Sequence, residues 1–111
     1  MNEDDEDAVW LFAYGTLRDP LVQHAVFGRE PDGEADALTG FRRDAVSLDG
    51  ERYRTLRADP GGGHRIGGLA LALRGSELPR ADAYEGATHY VRVSVRLDSG
   101  RQAFVYVSAS P

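Results

Sequence analysis

Cysteine and lysine are both absent from this chain of 111 residues. Without cysteine there is no disulfide, thiol nucleophile or thiolate metal ligand, so cysteine-dependent chemistry is excluded. Because lysine is absent, all 13 residues of the Lys and Arg total are arginine, a bias that we attribute to a GC-rich coding sequence rather than to binding. No stretch reaches the roughly 20 apolar residues of a transmembrane helix, and the N-terminus lacks the pattern of a secretory signal. We therefore expect a cytoplasmic protein that does not bind membranes.

Acidic residues are concentrated at the N-terminus, where Glu3–Asp7 are five acids in a row. Subtracting these five from the 18 acidic residues leaves 13, which balances the 13 arginines. Such a run is typical of a solvated terminus, and a metal or partner site is the less favoured interpretation. We predict a disordered tail over residues 1–8 and one domain over residues 9–111. The neutral charge of that domain argues against a nucleic-acid partner.

Strand patterns and glycine turns alternate along most of the chain. Val9–Ala13 is an apolar run typical of a buried strand, and Gly40 interrupts a longer strand-like stretch with a bend or bulge. Asp49-Gly50 predicts a hairpin turn. Residues 89–97 alternate polar and apolar side chains, and the turn residues that follow lead into a last strand over 102–107.

Two short helices complete the pattern. Asp19 is placed to cap the first helix, Pro20 fits its first position and Gly28 fits its end. A second helix is predicted over residues 76–85 with Ser76 as its cap. Five to seven strands with two helices predict an α+β fold, built on a small mixed, mostly antiparallel curved sheet or open barrel.

Two familiar kinds of site are not supported. The triple glycine Gly61–Gly63 lacks the Lys-Ser/Thr pair of a phosphate loop and precedes a strand, so we interpret it as a hairpin loop. His24, His64 and His89 fall in different elements without the spacing of metal ligands or a catalytic triad. We therefore predict neither a metal nor an organic cofactor.

Two segments about seventy positions apart carry the chemistry: Tyr14–Arg18 and Asp82–Gly86. A strand that breaks at Gly15 exposes consecutive backbone N–H groups, which suit an anion. Glu85, a single acid at a helix end among tyrosines, suits a general base with a raised pKa. Taken alone, Glu85 is more often a solvated surface residue; the combination of the two segments favours a catalytic site.

The order of these segments resembles the γ-glutamylcyclotransferase-like family, which includes the AIG2-like and γ-glutamylamine cyclotransferase branches. The resemblance rests on Tyr14-Gly15-Thr16-Leu17 after a strand, on Asp82-x-Tyr84-Glu85-Gly86, and on Tyr90-x-Arg92. It covers nearly the whole chain from Val9 onward. Ala81 stands where the family commonly has leucine, and Arg54 stands where it usually has proline.

The resemblance implies an enzyme that releases 5-oxoproline from a γ-glutamyl compound by intramolecular aminolysis, without a cofactor. It implies that Gly15, Thr16 and Leu17 hold the substrate's α-carboxylate and that Glu85 is the general base and acid. Apolar wall and a hydroxyl to the carbonyl or leaving group are expected from three tyrosines: Tyr84, Tyr90 and Tyr106. Tyr14 is expected to belong to the substrate-binding site.

A small γ-glutamyl molecule is the expected partner, and three leaving groups stay open: an amino acid, an amine, or the remainder of glutathione. The oligomeric state also stays open. The alternative function is a non-catalytic module on the same fold that binds a small acid or a partner protein.

Overall fold

The computed structural model describes residues 8–87 and 89–109. The acidic run lies outside the described residues, and Ala8, which the predicted tail included, is the first residue of strand β1. Seven strands and two α-helices follow one another in the order β1, α1, β2–β5, α2, β6, β7, with 3-10 turns at Thr16–Arg18 and Gly75–Glu77. The strands are β1 (Ala8–Ala13), β2 (Gly33–Thr39), β3 (Phe41–Leu48), β4 (Glu51–Ala58), β5 (Arg65–Arg74), β6 (Tyr90–Arg96) and β7 (Gln102–Ser108), and the helices are α1 (Pro20–Phe27) and α2 (Leu78–Gly86).

Five strands form one sheet in the order β2-β5-β1-β7-β6. The apolar strand β1 lies at its centre, where Leu11 is paired with Leu71 of β5 on one side and with Phe104 of β7 on the other. Only the β1–β7 pairing is parallel among the described strands, and the other pairings are antiparallel. The sheet does not close into a barrel. The predicted α+β class with a mostly antiparallel sheet is confirmed.

Strands β3 and β4 form a separate two-stranded ribbon. Asp49 and Gly50 both have positive φ angles, of 52° and 81°, which a tight turn between two right-twisted strands requires. Gly40, with a φ of 91°, is the bend at which the chain leaves β2 and enters β3. The ribbon is attached to β7, because the Ser108 N–H donates to Thr55 Oγ1 at 2.8 Å. The predicted hairpin and bend are therefore present.

Two apolar clusters occupy the two faces of the sheet, since side chains alternate along a strand. Leu11 belongs to the cluster with Phe27 of α1 and Ala81 of α2. Phe12, its neighbour on β1, belongs to the other cluster, which Leu56 of β4 joins. The helices thus cover one face and the ribbon covers part of the other. The end of β1 therefore lies between the helices and the ribbon.

Helix α1 begins and ends as predicted: Asp19 Oδ1 accepts from the Leu21 N–H at 2.9 Å, and Gly28 at the end has a φ of 73°. The predicted start of the second helix was wrong. Ser76 lies inside a 3-10 turn and α2 begins at Leu78.

Glu77, rather than Ser76, organises the start of α2. Its buried carboxylate accepts from the backbone N–H of Arg74 at 2.8 Å and from Arg29 at 2.6 and 2.9 Å. The Arg29 guanidinium holds the pKa of Glu77 below its usual value. A charged pair between distant elements thereby replaces the local serine cap. In the described residues, no helix is long and apolar enough to cross a bilayer.

Candidate active site

A cavity of about 910 Å³ opens between the end of β1, helix α2 and the β3–β4 ribbon. The residues proposed from the sequence all line it: Tyr14, Gly15, Thr16, Leu17, Glu85, Tyr90 and Tyr106. Tyr84 lines it as well. The fold therefore brings both sequence segments to one cavity, which is large enough for a ligand bigger than a single amino acid.

The turn after β1 forms one wall of this cavity. Gly15 precedes the 3-10 turn Thr16–Arg18, in which Arg18 and Asp19 donate their N–H groups to the carbonyls of Gly15 and Thr16 at 3.1 and 3.0 Å. The first N–H groups of such a turn have no acceptor within it. Those of Thr16 and Leu17 are in that position, so the turn has the donors that an anion requires.

Glu85 supplies the acid of the cavity from the last turn of α2. Its side chain is half-buried, and this burial raises the pKa of Glu85 from 4.5 to about 7. A carboxyl group prefers its neutral form when water is removed from around it. Near neutral pH both protonation states of Glu85 are therefore populated, as a residue that takes up and returns a proton requires.

Three tyrosines of the cavity use their hydroxyl groups in bonds to other residues. Tyr14 donates to the Tyr106 carbonyl at 2.5 Å, and Tyr106 donates to Asp82 Oδ1 at 2.7 Å. Tyr90 donates to the Arg54 carbonyl. Each of these phenols donates its O–H to a protein acceptor, so this hydrogen is not available to a ligand. Tyr106 is in addition almost fully buried.

Burial raises the pKa of Tyr14, with further contributions from nearby Tyr90 and Glu85. Burial also raises the pKa of Tyr106 and of Tyr90. These phenols consequently stay neutral at physiological pH. Among them Glu85 is the group whose protonation changes near neutral pH.

Three arginines line the same cavity: Arg43, Arg52 and Arg54. From the sequence, Arg54 stood out only as a departure from the family's usual proline, and the arginine content was attributed to coding bias. The predicted turn at Asp49-Gly50 could have indicated that these arginines share a face, because the turn fixes which residues of β3 and β4 lie opposite each other. Within the described residues, no group of three or more His, Asp or Glu side chains is placed to hold a metal ion.

Comparison with known proteins identifies relatives of this chain. Residues 11–111 match the family model described as gamma-glutamyl cyclotransferase, AIG2-like. AIG2-like protein C of Arabidopsis thaliana is 35% identical over 75 residues, which are 68% of this chain and 42% of that protein. The chain therefore spans less than half the length of this relative.

Solved structures share the fold at low sequence identity. A solution structure of an Arabidopsis thaliana protein matches with a TM-score of 0.73 at 24% identity, covering 91% of this chain and 62% of that one. A structure named gamma-glutamyl cyclotransferase matches with a TM-score of 0.72 at 18% identity, covering 92% of this chain and 67% of that one. At these identities the two structures establish the architecture.

Proposed function

This chain belongs to the gamma-glutamyl cyclotransferase, AIG2-like family, and we propose that it converts a γ-glutamyl compound into 5-oxoproline and a free amine or amino acid. One observation carries the proposal: Glu85, with a pKa raised to about 7 by burial, lines the same cavity as the turn that begins at Gly15. An anion site beside a proton-transferring carboxyl group is what this reaction needs.

The reaction is an internal aminolysis. The α-amine nitrogen of the γ-glutamyl group attacks its own γ-carbonyl carbon, so that one C–N bond forms and closes a five-membered ring. The bond from that carbon to the original amide nitrogen breaks, and this nitrogen leaves as an amine. Starting from the α-ammonium, the attacking nitrogen loses two protons on its way to the ring amide: one is donated to the departing nitrogen as its bond breaks, and the other ends on the released amine. Since both reacting groups belong to one molecule, the protein has mainly to hold the chain folded and to move these protons.

Glu85 performs the proton transfer in this proposal. The α-amine is an ammonium at neutral pH, and it cannot attack until the Glu85 carboxylate removes its proton. The protonated carboxyl group then donates this proton to the leaving nitrogen, and the regenerated carboxylate takes the second proton from the ring nitrogen and passes it to the released amine. A pKa of about 7 suits both steps, since each form is accessible near neutral pH. Acid–base assistance of this kind is worth about 10²–10⁴-fold in rate.

The turn after β1 orients the substrate. Backbone N–H groups of Thr16 and Leu17 receive the α-carboxylate, and the Thr16 hydroxyl adds a further polar contact at the same wall. Fixing the carboxylate at this turn fixes the adjacent α-amine as well, because both groups are attached to one carbon. We assign the rings of Tyr14, Tyr90 and Tyr106 to the walls around the glutamyl chain.

The test is 5-oxoproline release from γ-glutamyl amino acids, γ-glutamylamines and glutathione. Glu85→Gln keeps the shape of the side chain and removes the base, so we expect release by the wild type and a loss of at least about 100-fold in the variant. Glu30→Gln makes the same chemical change at an exposed residue outside the cavity, and it should leave the rate unchanged.

Two results would overturn the proposal. Equal rates for the wild type and Glu85→Gln would remove Glu85 from the mechanism. If the protein binds γ-glutamyl compounds but releases 5-oxoproline from none of them, the alternative function, a non-catalytic binding module, is supported instead.

A further inference from the structure

The β3–β4 ribbon is the wall of the cavity that the proposed mechanism leaves unused. The turn after β1 and the end of α2 hold the α-carboxylate and the α-amine in that mechanism. The volume of about 910 Å³ is near the upper end of the roughly 300–1,000 Å³ typical of ligand sites. A glutamyl group alone leaves much of it empty. The leaving group of the substrate therefore has to lie toward the ribbon.

Three arginines make this wall cationic: Arg43, Arg52 and Arg54, here called the arginine row. In the ribbon Ala45 lies opposite Arg54 and Ser47 lies opposite Arg52. Residues directly opposite share a face of a β-ribbon, and so do residues two positions apart on one strand. All three arginines consequently occupy one face, on which Arg54 lies between Arg43 and Arg52 and Leu56 is paired with Arg43.

Carboxylates of the protein do not neutralise the arginine row. Among the described residues, no ion pair joins Arg43, Arg52 or Arg54 to an acidic side chain. Two acids, Asp44 and Glu85, line the same cavity. The Asp44 carboxylate is occupied by Arg57 and lies 3.4 Å from Arg42. Like charges that share one face repel each other. A ligand anion at this wall would relieve that repulsion.

The row is also connected to the rest of the site through the backbone. Tyr90 donates its hydroxyl proton to the carbonyl of Arg54, and both residues line the cavity. This bond ties the middle of the row to the wall that carries the proposed glutamyl site. All three arginines are exposed residues, so they are accessible to an incoming ligand.

We propose that the arginine row binds a carboxylate on the leaving group, so that the substrates are γ-glutamyl amino acids or short γ-glutamyl peptides rather than uncharged γ-glutamylamines. This inference rests on the proposed function, and it selects among the leaving groups that the sequence left open. A γ-glutamyl amino acid carries a second carboxylate, whereas a γ-glutamylamine does not. Arginine suits this group because its planar fork of N–H donors matches the two oxygens of a carboxylate.

Two ligands isolate the second carboxylate. γ-Glutamyl-alanine and γ-glutamyl-ethylamine differ only in that the former carries the carboxylate on its leaving group. Their dissociation constants are measured by calorimetry on Glu85→Gln protein, in which turnover should not interfere, or on the wild type if it releases no 5-oxoproline. We expect γ-glutamyl-alanine to bind about tenfold more tightly, which corresponds to 1.4 kcal/mol. The preference should shrink as salt is added.

Variants then assign the preference to the row. Arg43→Gln combined with Arg54→Gln, added to the same background, should bring the ratio of the two dissociation constants close to one. Arg80→Gln combined with Arg96→Gln removes the same charge from exposed residues outside the cavity and should leave the ratio as it was. The salt dependence is measured on the Glu85→Gln protein without the arginine substitutions, so it tests the inference even if those substitutions disturb folding.

The outcomes separate this inference from the proposed function. Equal affinity for the two ligands, binding of neither, or a ratio that the row variants leave unchanged would overturn the inference. If no 5-oxoproline is released but γ-glutamyl-alanine is still preferred, the proposed enzymatic activity is wrong. The arginine row is then still supported as an anion site.

Discussion

The hydroxyl oxygens of Thr16 and Tyr84 lie 2.7 Å apart, although the two residues are 68 positions apart in the chain. This hydrogen bond joins the turn after β1 to helix α2. Thr16 stands beside the N–H groups proposed to hold the α-carboxylate, and Tyr84 is the neighbour of Glu85. The bond therefore links the turn of the proposed anion site to the helix that carries the proposed base.

A double-mutant cycle tests whether this bond matters for turnover. Thr16→Val and Tyr84→Phe each remove one hydroxyl and keep the shape of the side chain. Each variant should lower kcat/KM for 5-oxoproline release about 2–10-fold, the effect of one neutral hydrogen bond. The double variant should be little worse than either single one, since the bond is lost only once. Losses that multiply in the double variant would show that the two hydroxyls act separately.

The pH dependence of turnover should report the raised pKa of Glu85. The base form is required to accept the proton from the α-ammonium, so kcat/KM should fall about tenfold per pH unit below the pKa of about 7. An ordinary glutamate would place this decline near pH 4.5. The profile is measured on the wild type, with Glu30→Gln as a control whose profile should coincide with it. A decline near pH 4.5 would contradict a buried Glu85.

The stability of the fold should also depend on pH through Glu85. A rise in pH favours turnover but should lower the free energy of unfolding. The folded-state pKa of Glu85 is about 7 and the ordinary value is 4.5, so between these values the folded protein binds more protons than the unfolded chain. The stabilisation from this uptake is fully present below pH 4.5 and is lost as the pH rises toward 7. Urea unfolding of the wild type and Glu85→Gln should show it. The difference in free energy of unfolding should move in favour of the variant from pH 5 to pH 7, and parallel curves would contradict the shift.

Two adjacent glycines of β5 offer a matched test of packing near the site. A Cβ on Gly68 would collide with the Ala13 carbonyl oxygen and come within 2.9 Å of Phe12 Cζ, whereas a Cβ on Gly67 meets nothing within 4 Å. Gly68→Ala should lower the free energy of unfolding by about 1–3 kcal/mol. Gly67→Ala should change it by less than about 1 kcal/mol, since an open alanine site is tolerated. Equal effects in thermal or urea unfolding would refute the close contact at Gly68.

Local sequence rules predicted much of the fold. The helix α1 follows from Asp19, Pro20 and Gly28, and the ribbon follows from Asp49-Gly50, because caps and tight turns are decided by residues next to each other. The start of α2 could not be predicted in this way. Glu77 there pairs with Arg29, 48 positions earlier in the chain, and no local pattern indicates such a partner.

The candidate site was predicted from two segments, and the structure brings their residues to one cavity. What the sequence did not indicate is how the tyrosine hydroxyls are used. Tyr106 stands in an apolar strand and is buried, as is typical of a core aromatic, and its hydroxyl donates to Asp82 rather than to the cavity. The arginine row was missed for a related reason, since strand pairing rather than adjacency places Arg43 beside Arg54.

The sequence by itself determined which segments become strands and helices, the family to which the chain belongs, and the identity of the acid at position 85. Those properties depend on neighbouring residues and on motif order. The expected rise in the pKa of Glu85 depends on burial that only the tertiary structure supplies, and the tertiary structure also decided which arginines line the same cavity. A pKa is set by the water and charges around a group, and the groups around Glu85 come from strands and turns far apart in the chain.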